Sequence, residues 1–162
     1  MERSAPTCVP VRVIKKENYM KKYIRKINYY ETDKMGITHH SNYIRWMEEA
    51  RIDFLEQIGF GYAKLEEDGI VSPIIGVECE YKAPTTFGDS VEIEVGIEEF
   101  KGVQLVIKYT VTKCESGELV LCGRTKHCFL NGDGKPIMLR KQFPEFDQVL
   151  KELAGKGTVG LC

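Results

Sequence analysis

The chain has 162 residues, with 23 Lys and Arg against 24 Asp and Glu, for a formal net charge of −1. With 43% hydrophobic and 29% charged residues, it has the make-up of one folded domain rather than of a disordered chain. No apolar run approaches the ~20 residues of a membrane span, and the balanced charge supplies no basic field that would draw nucleic acid.

Residues 1–21 read as an N-terminal leader, and the stretch after Met1-Glu2-Arg3 lacks the apolar core of a signal peptide. Lys22 to Glu31, with three tyrosines, is the first predicted strand. Asn42 to Ile58 is the one long predicted helix, about 25 Å at ~1.5 Å per residue. Ser41 or Asn42 can cap its start, and Gly59 and Gly61 supply the stop. At ~100° per residue Tyr43, Ile44, Met47, Ala50, Phe54, Leu55 and Ile58 share one arc, and Arg45, Glu49, Asp53 and Glu56 the opposite side. Arg51 falls inside the apolar arc. A buried guanidinium needs a partner, and Glu48, three residues earlier, is the expected one. Arg51 could alternatively brace a nearby catalytic loop.

Four strands follow, each with a period of two. Ile75, Val77, Cys79 and Tyr81 alternate with polar residues or glycine. Val91, Ile93, Val95 and Ile97 do the same, as do Val103 to Val111, and a last run spans Leu119 to Leu130. Behind Pro144, the spacing of Phe146, Val149, Leu150 and Leu153 predicts a short amphipathic helix. Residues 22–155 thus form a single domain, with 156–162 as a frayed tail. The order predicts an α+β fold: an antiparallel sheet with one wet face, its dry face covered by the long helix.

The six cysteines are Cys8, Cys79, Cys114, Cys122, Cys128 and Cys162. None forms a C-x-x-C pair and none has zinc-finger spacing with a histidine. Without a secretory signal they read as reduced thiols of a cytoplasmic protein, with Cys79 and Cys122 packed inside strands.

The segment Tyr29-Tyr30-Glu31-Thr32-Asp33-Lys34-Met35-Gly36-Ile37-Thr38-His39-His40-Ser41-Asn42-Tyr43 concentrates chemistry. It brings two acids, two of the three histidines and a glycine to the start of the helix, where free N–H groups carry a partial positive charge. Such an end can polarise a carbonyl and hold an oxyanion. A nearby carboxylate can attack the carbonyl carbon or activate water. That combination suits acyl transfer to water and needs no metal. Adjacent histidines such as His39 and His40 make a poor metal clamp, because on a helix their rings diverge by ~100°. The plainer readings stay open: Asp33 as a turn residue before Gly36, and the two histidines as solvated helix-start residues.

The pattern Tyr-x-x-Thr-Asp33-x-x-Gly36-Ile-x-x-His40-x-x-Tyr43-x-x-Trp46-x-Glu48-x-x-Arg51, continued by Glu80-Tyr81-Lys82-Ala83-Pro84 and Gly88-Asp89, closely resembles the signature of hotdog-fold acyl-CoA thioesterases. The similarity is to the 4-hydroxybenzoyl-CoA thioesterase family, including its Tol-Pal-associated branch, and covers about residues 22–140. It implies an antiparallel sheet wrapped around one long helix. It also implies a homodimer or homotetramer with active sites at the subunit interface, an acyl-CoA substrate and no cofactor. Asp33 matches the family's catalytic carboxylate, acting as nucleophile or general base. The backbone N–H at position 40 matches the carbonyl-polarising donor, and the His40 side chain and Tyr29 match residues of the Tol-Pal-associated branch. Glu31-Thr32-Asp33 stands where that branch usually carries an Asp-Thr-Asp-like acid pair, and His39 where an aromatic residue is common; both departures bear on substrate preference. The phosphates of CoA call for basic residues, and Arg124 and Lys126, two apart on one strand face, are candidates. Lys135, Arg140 and Lys141 form a second basic cluster. Met35, Met47 and Phe54 can line an acyl slot, the last two equally serving the core. The competing readings are a hotdog dehydratase acting on an acyl thioester and a non-catalytic acyl-CoA binding module.

Overall fold

The computed structural model describes residues 20–157 and 161–162, so most of the expected leader lies outside the described residues. At its end, the Lys21 backbone N–H already bonds the Gln57 side chain (2.8 Å). The elements in order are β1 (Tyr23–Lys26), a 3₁₀ turn (Tyr29–Glu31), α1 (Asn42–Gln57), α2 (Tyr62–Glu67), β2 (Ile74–Tyr81), β3 (Ser90–Phe100), β4 (Gln104–Lys113), β5 (Leu119–Cys128), α3 (Leu139–Gln142) and α4 (Pro144–Gly155). The strands form one sheet in the order β1-β3-β4-β5-β2, with every neighbouring pair antiparallel. The first strand is shorter than the predicted Lys22 to Glu31. It stops at Lys26, and Tyr29 to Glu31 coil into the 3₁₀ turn that begins the loop carrying Asp33.

Helix α1 presses its apolar side onto the sheet. Tyr43, Trp46, Met47, Ala50, Phe54 and Leu55 are buried with Val91, Ile93, Tyr109, Val111 and Leu121 from the strands. Ile44, expected in the buried arc, is 40% exposed, while Trp46 takes the inward position beside Tyr43, with ring centroids 4.6 Å apart. The helix ends as Gly59 predicts. Gly59 has φ +86°, its N–H bonds the Glu56 carbonyl and the Phe60 N–H bonds the Leu55 carbonyl, the reciprocal pair of a Schellman stop. Close approach of helix and sheet depends on Gly123 of β5, where a Cβ would lie 2.4 Å from the Met47 sulfur.

Several expectations are corrected. Arg51 is buried as foreseen, but its partner is not Glu48, which points to solvent. Its Nη1 donates to the Tyr109 hydroxyl at 3.0 Å, because the inward side of α1 at that turn meets β4, whereas Glu48 lies on the outer flank. The cysteines are not all thiols, since Cys122 and Cys162 form a disulfide across 40 positions. Cys79, Cys114 and Cys128 are free. The far end of the tail is therefore tied down rather than frayed. Cys162 sits against the outer face of the sheet, where its carbonyl accepts from Lys108 Nζ at 2.8 Å. This cover explains why Lys108 and Thr110 of β4 are buried on the face expected to be wet. Finally, the apolar alternation of β2 does not bury that strand. Ile75, Val77 and Tyr81 are largely exposed, because β2 is the edge of the sheet, next to β5 alone.

Candidate active site

The 3₁₀ turn, the loop from Thr32 to Ser41 and the first turn of α1 are wired together through Glu31. Its carboxylate is buried and accepts from the Asn28 backbone N–H (2.8 Å) and the Trp46 indole (2.9 Å), and it pairs with Arg25. Burial pushes this carboxyl up, but those three donors outweigh burial and hold it below the usual carboxylate range. The Glu31 carbonyl in turn accepts from the His39 N–H (2.8 Å) and from Asn42 Nδ2 (2.9 Å). One residue thereby ties the loop's entry to its exit and to the helix start. Nothing in the spacing pointed to Glu31 as this anchor, although Trp46 of the signature is one of its donors.

Between those ties the loop is a tight hairpin. Thr32 bridges Thr38, the Asp33 N–H bonds the Ile37 carbonyl (2.8 Å), and the Gly36 N–H bonds the Asp33 carbonyl (2.9 Å). Gly36 has φ +79°, a conformation natural to glycine. Asp33 is half-buried. Its Oδ1 accepts from the Met35 N–H at 2.8 Å, an Asx turn that orients the carboxylate and leaves its second oxygen without a bond among the described residues. The turn reading and the catalytic reading of Asp33 are thus compatible. The hairpin is fastened to the loop before β3 by Thr86 Oγ1 on the Gly36 carbonyl and by the buried Thr38–Thr85–Tyr43 hydroxyl chain, each link 2.8 Å.

His40 lies at the hairpin's exit and is exposed. Its ring rests against that of His39, centroids 4.1 Å apart, and its carbonyl accepts from the Tyr81 hydroxyl at 2.9 Å. Among the described residues no acceptor meets the His40 backbone N–H. Ser41 occupies the cap position of α1 without a side-chain capping bond, so the first-turn donors of the helix are not consumed by it. Tyr29 stands beside Phe87, edge to face at 5.7 Å. Both rings are exposed, as are Tyr30 and Met35 of the same loop. Arg124 and Lys126 lie on β5, paired with Glu98 (2.6 Å) and Glu78 (2.9 Å). Arg124 is three residues from Leu121, the register partner of Tyr81, hence about 10 Å along the strand. The structure therefore gathers Tyr29, Asp33 and His40 into one loop system and leaves Arg124 and Lys126 on the neighbouring sheet.

Comparison with known proteins identifies relatives of the whole domain. YneP of Bacillus subtilis, provisionally named an acyl-CoA thioesterase, is 34% identical over 122 residues, covering 75% of this chain and 88% of its own. A DHNA-CoA thioesterase from Staphylococcus aureus superposes with a TM-score of 0.78 at 32% identity, covering 86% of this chain and 95% of that one. The gentisyl-coenzyme A thioesterase BH1999 superposes with a TM-score of 0.66 at 31% identity, covering 72% and 93%. The family model described as thioesterase-like superfamily matches residues 27–153. Sheet topology, signature loop and these matches together place the chain in the thioesterase-like superfamily, with its hotdog fold.

Proposed function

We propose that the protein hydrolyses acyl-CoA thioesters to a free carboxylic acid and CoA thiol, with Asp33 as the reactive carboxylate. The observation that carries this reading is the Asp33 hairpin, anchored by Glu31 to the start of α1, with the His40 N–H free of an acceptor among the described residues. The thioester carbonyl oxygen lies at that helix end and is polarised by the N–H groups there. Asp33 either attacks the carbonyl carbon or takes a proton from the attacking water. The carbon–sulfur bond then breaks and CoA leaves as its thiol, taking up a proton; where Asp33 is the nucleophile, water then cleaves the Asp33–acyl anhydride, releasing the acid and restoring the carboxylate. One oxyanion donor is typically worth 10²–10³ in rate, so the helix end supplies roughly 3–4 kcal/mol of barrier lowering. His40 assists at the carbonyl, and Tyr29 with Phe87 borders the acyl group. Arg124 and Lys126 meet the CoA phosphates by exchanging their carboxylate partners for phosphate oxygens.

The site is shared by two copies in this reading. The exposed apolar residues of edge strand β2 and the Tyr29–Phe87 pair lie on surfaces that a second copy would cover, and an uncovered hydrophobic edge is a liability for a lone chain. The experiment is thiol release from a panel of acyl-CoAs that includes hydroxyaromatic ones, since the two thioesterases above are named for such substrates. Asp33→Asn is expected to lose roughly 10²–10⁴ of kcat with unchanged thermal stability. Near-native turnover by this variant overturns the role of Asp33. Dehydration or binding without thiol release overturns the hydrolase reading altogether.

A further inference from the structure

Away from the Asp33 loop, on the inner side of α1 two to three turns further along, the core contains a cavity of about 30 Å³. Its walls are apolar, formed by residues such as Leu55, Leu65, Ile107, Phe129 and Phe146, and the Arg51 and Tyr62 side chains reach it. Arg51 is 4% exposed. No Asp or Glu oxygen of the described residues lies within 4.0 Å of its guanidinium, which takes part in none of the ion pairs. Its Nε is buried without any hydrogen-bond partner.

The polar groups around Arg51 do not neutralise it. Arginine can only donate, so the Tyr109 oxygen accepts from Nη1 (3.0 Å) and spends its own proton on Thr125 (2.9 Å). The Thr125 hydroxyl then spends its proton on His127 Nε2 (2.8 Å), and the other ring nitrogen bonds the Ser72 backbone. With His127 neutral, as burial and the Arg51 charge favour, its Nε2 accepts from Thr125 and Thr125 accepts from a protonated Tyr109. Burial raises the tyrosine hydroxyl, and burial with the Arg51 charge lowers the histidine to about 4. The chain of donors is complete and delivers no negative charge. Glu66, the one carboxylate bordering the cavity, keeps its side chain in solvent. A single buried positive charge without a counter-charge costs several kcal/mol, and water filling the cavity would hydrogen-bond the guanidinium without cancelling that charge.

We propose that this cavity is a binding site for a small monovalent anion, of halide or formate size, held by Arg51 Nε beside Tyr62, whose hydroxyl bonds the same guanidinium. About 10–15 Å³ of such space holds one water, so 30 Å³ admits two to three non-hydrogen atoms. A small ion fits this space better than sulfate or phosphate, and the apolar lining favours a weakly hydrated one. The occupant contributes the charge missing from the Arg51–Tyr109–Thr125–His127 chain.

The test uses the full chain in two experiments. In the first, sodium bromide or sodium formate is titrated against sodium gluconate at fixed ionic strength while the melting temperature is followed. A rise of about 3–6 °C at ten times Kd, growing with the logarithm of anion concentration, is expected, and it is absent in Arg51→Met. The two salts separate a halide site from a carboxylate site. No rise with either salt over gluconate, or an equal rise in Arg51→Met, overturns the proposal. The second experiment needs no variant: crystals of the wild-type protein soaked in bromide should show an anomalous peak beside Arg51 Nε. A cavity holding only water, or the Glu66 carboxylate folded onto Arg51, refutes the site.

Discussion

Two residues show how closely the helix and the sheet are fitted. At Gly123 the missing side chain is the space in which Met47 lies, since a Cβ there would meet its sulfur at 2.4 Å and a Leu121 methyl at 3.2 Å. Met47 is fully buried and has no solvent to retreat into. Gly123→Ala is therefore expected to destabilise the fold by about 1–3 kcal/mol through overpacking, read as a shift of the urea midpoint at unchanged m-value. His127, 2% exposed, makes the second prediction. Burial and the Arg51 charge lower it from 6.5 to about 4, so the folded protein holds it neutral while the unfolded chain protonates it near 6.5. Stability is fully present above pH 6.5 and is lost as pH falls toward 4, on the order of 3 kcal/mol over that window. His127→Gln should flatten the stability–pH curve between pH 6.5 and 4. A curve as steep as the wild type's would show that another group is responsible.

The loop from Glu31 to Ser41 owes its shape to contacts made elsewhere. A hairpin of this kind could adopt several orientations on its own. It is held by the Glu31 carboxylate with Arg25, Asn28 and Trp46 at one end and by Tyr43, Thr85 and Thr38 at the other. Glu31→Gln keeps the backbone carbonyl that ties His39 and Asn42 but takes the charge from Arg25, leaving that guanidinium with Glu49 alone. A stability loss of about 1–3 kcal/mol is expected, measured by chemical denaturation. In the proposed hydrolysis, kcat should fall more than KM changes, because the carboxylate of Asp33 is displaced while the acyl-binding surface is kept. Much of this region was legible beforehand. Asp33, Gly36, His40 and Tyr43 stood in one ordered pattern, and the helix start and stop came within a residue of their places. The anchors were not legible, because Glu31 and Thr85 act through partners 15 and 42 positions away, and no local period records such pairings.

Across the whole molecule, the disulfide joins the end of the chain to the sheet's outer face. Cys122 and Cys162 are 40 positions apart, so chain-entropy reasoning allows at most about 4 kcal/mol of stabilisation. The actual value should be smaller, because the bond also immobilises the native tail. Reduction, or Cys162→Ser, is expected to lower the melting temperature and to expose Lys108 and Thr110 to solvent. Faster hydrogen exchange confined to β4 and β5 is the measurement. An unchanged exchange pattern would mean that the tail does not cover the sheet in solution.

Strand periods, the long amphipathic helix, its glycine stop and the signature around Asp33 are local quantities, and the chain order of side chains determined them without any knowledge of contacts. Pairings between distant residues are a different matter. Arg51 chose Tyr109 over Glu48 because helix rotation against β4 decides which neighbour is inward. Cys122 found Cys162, and β2 became an edge, because sheet order brings together segments that the sequence keeps apart. Alternation can say which side of a strand is apolar, but only the assembled sheet decides whether anything lies against it.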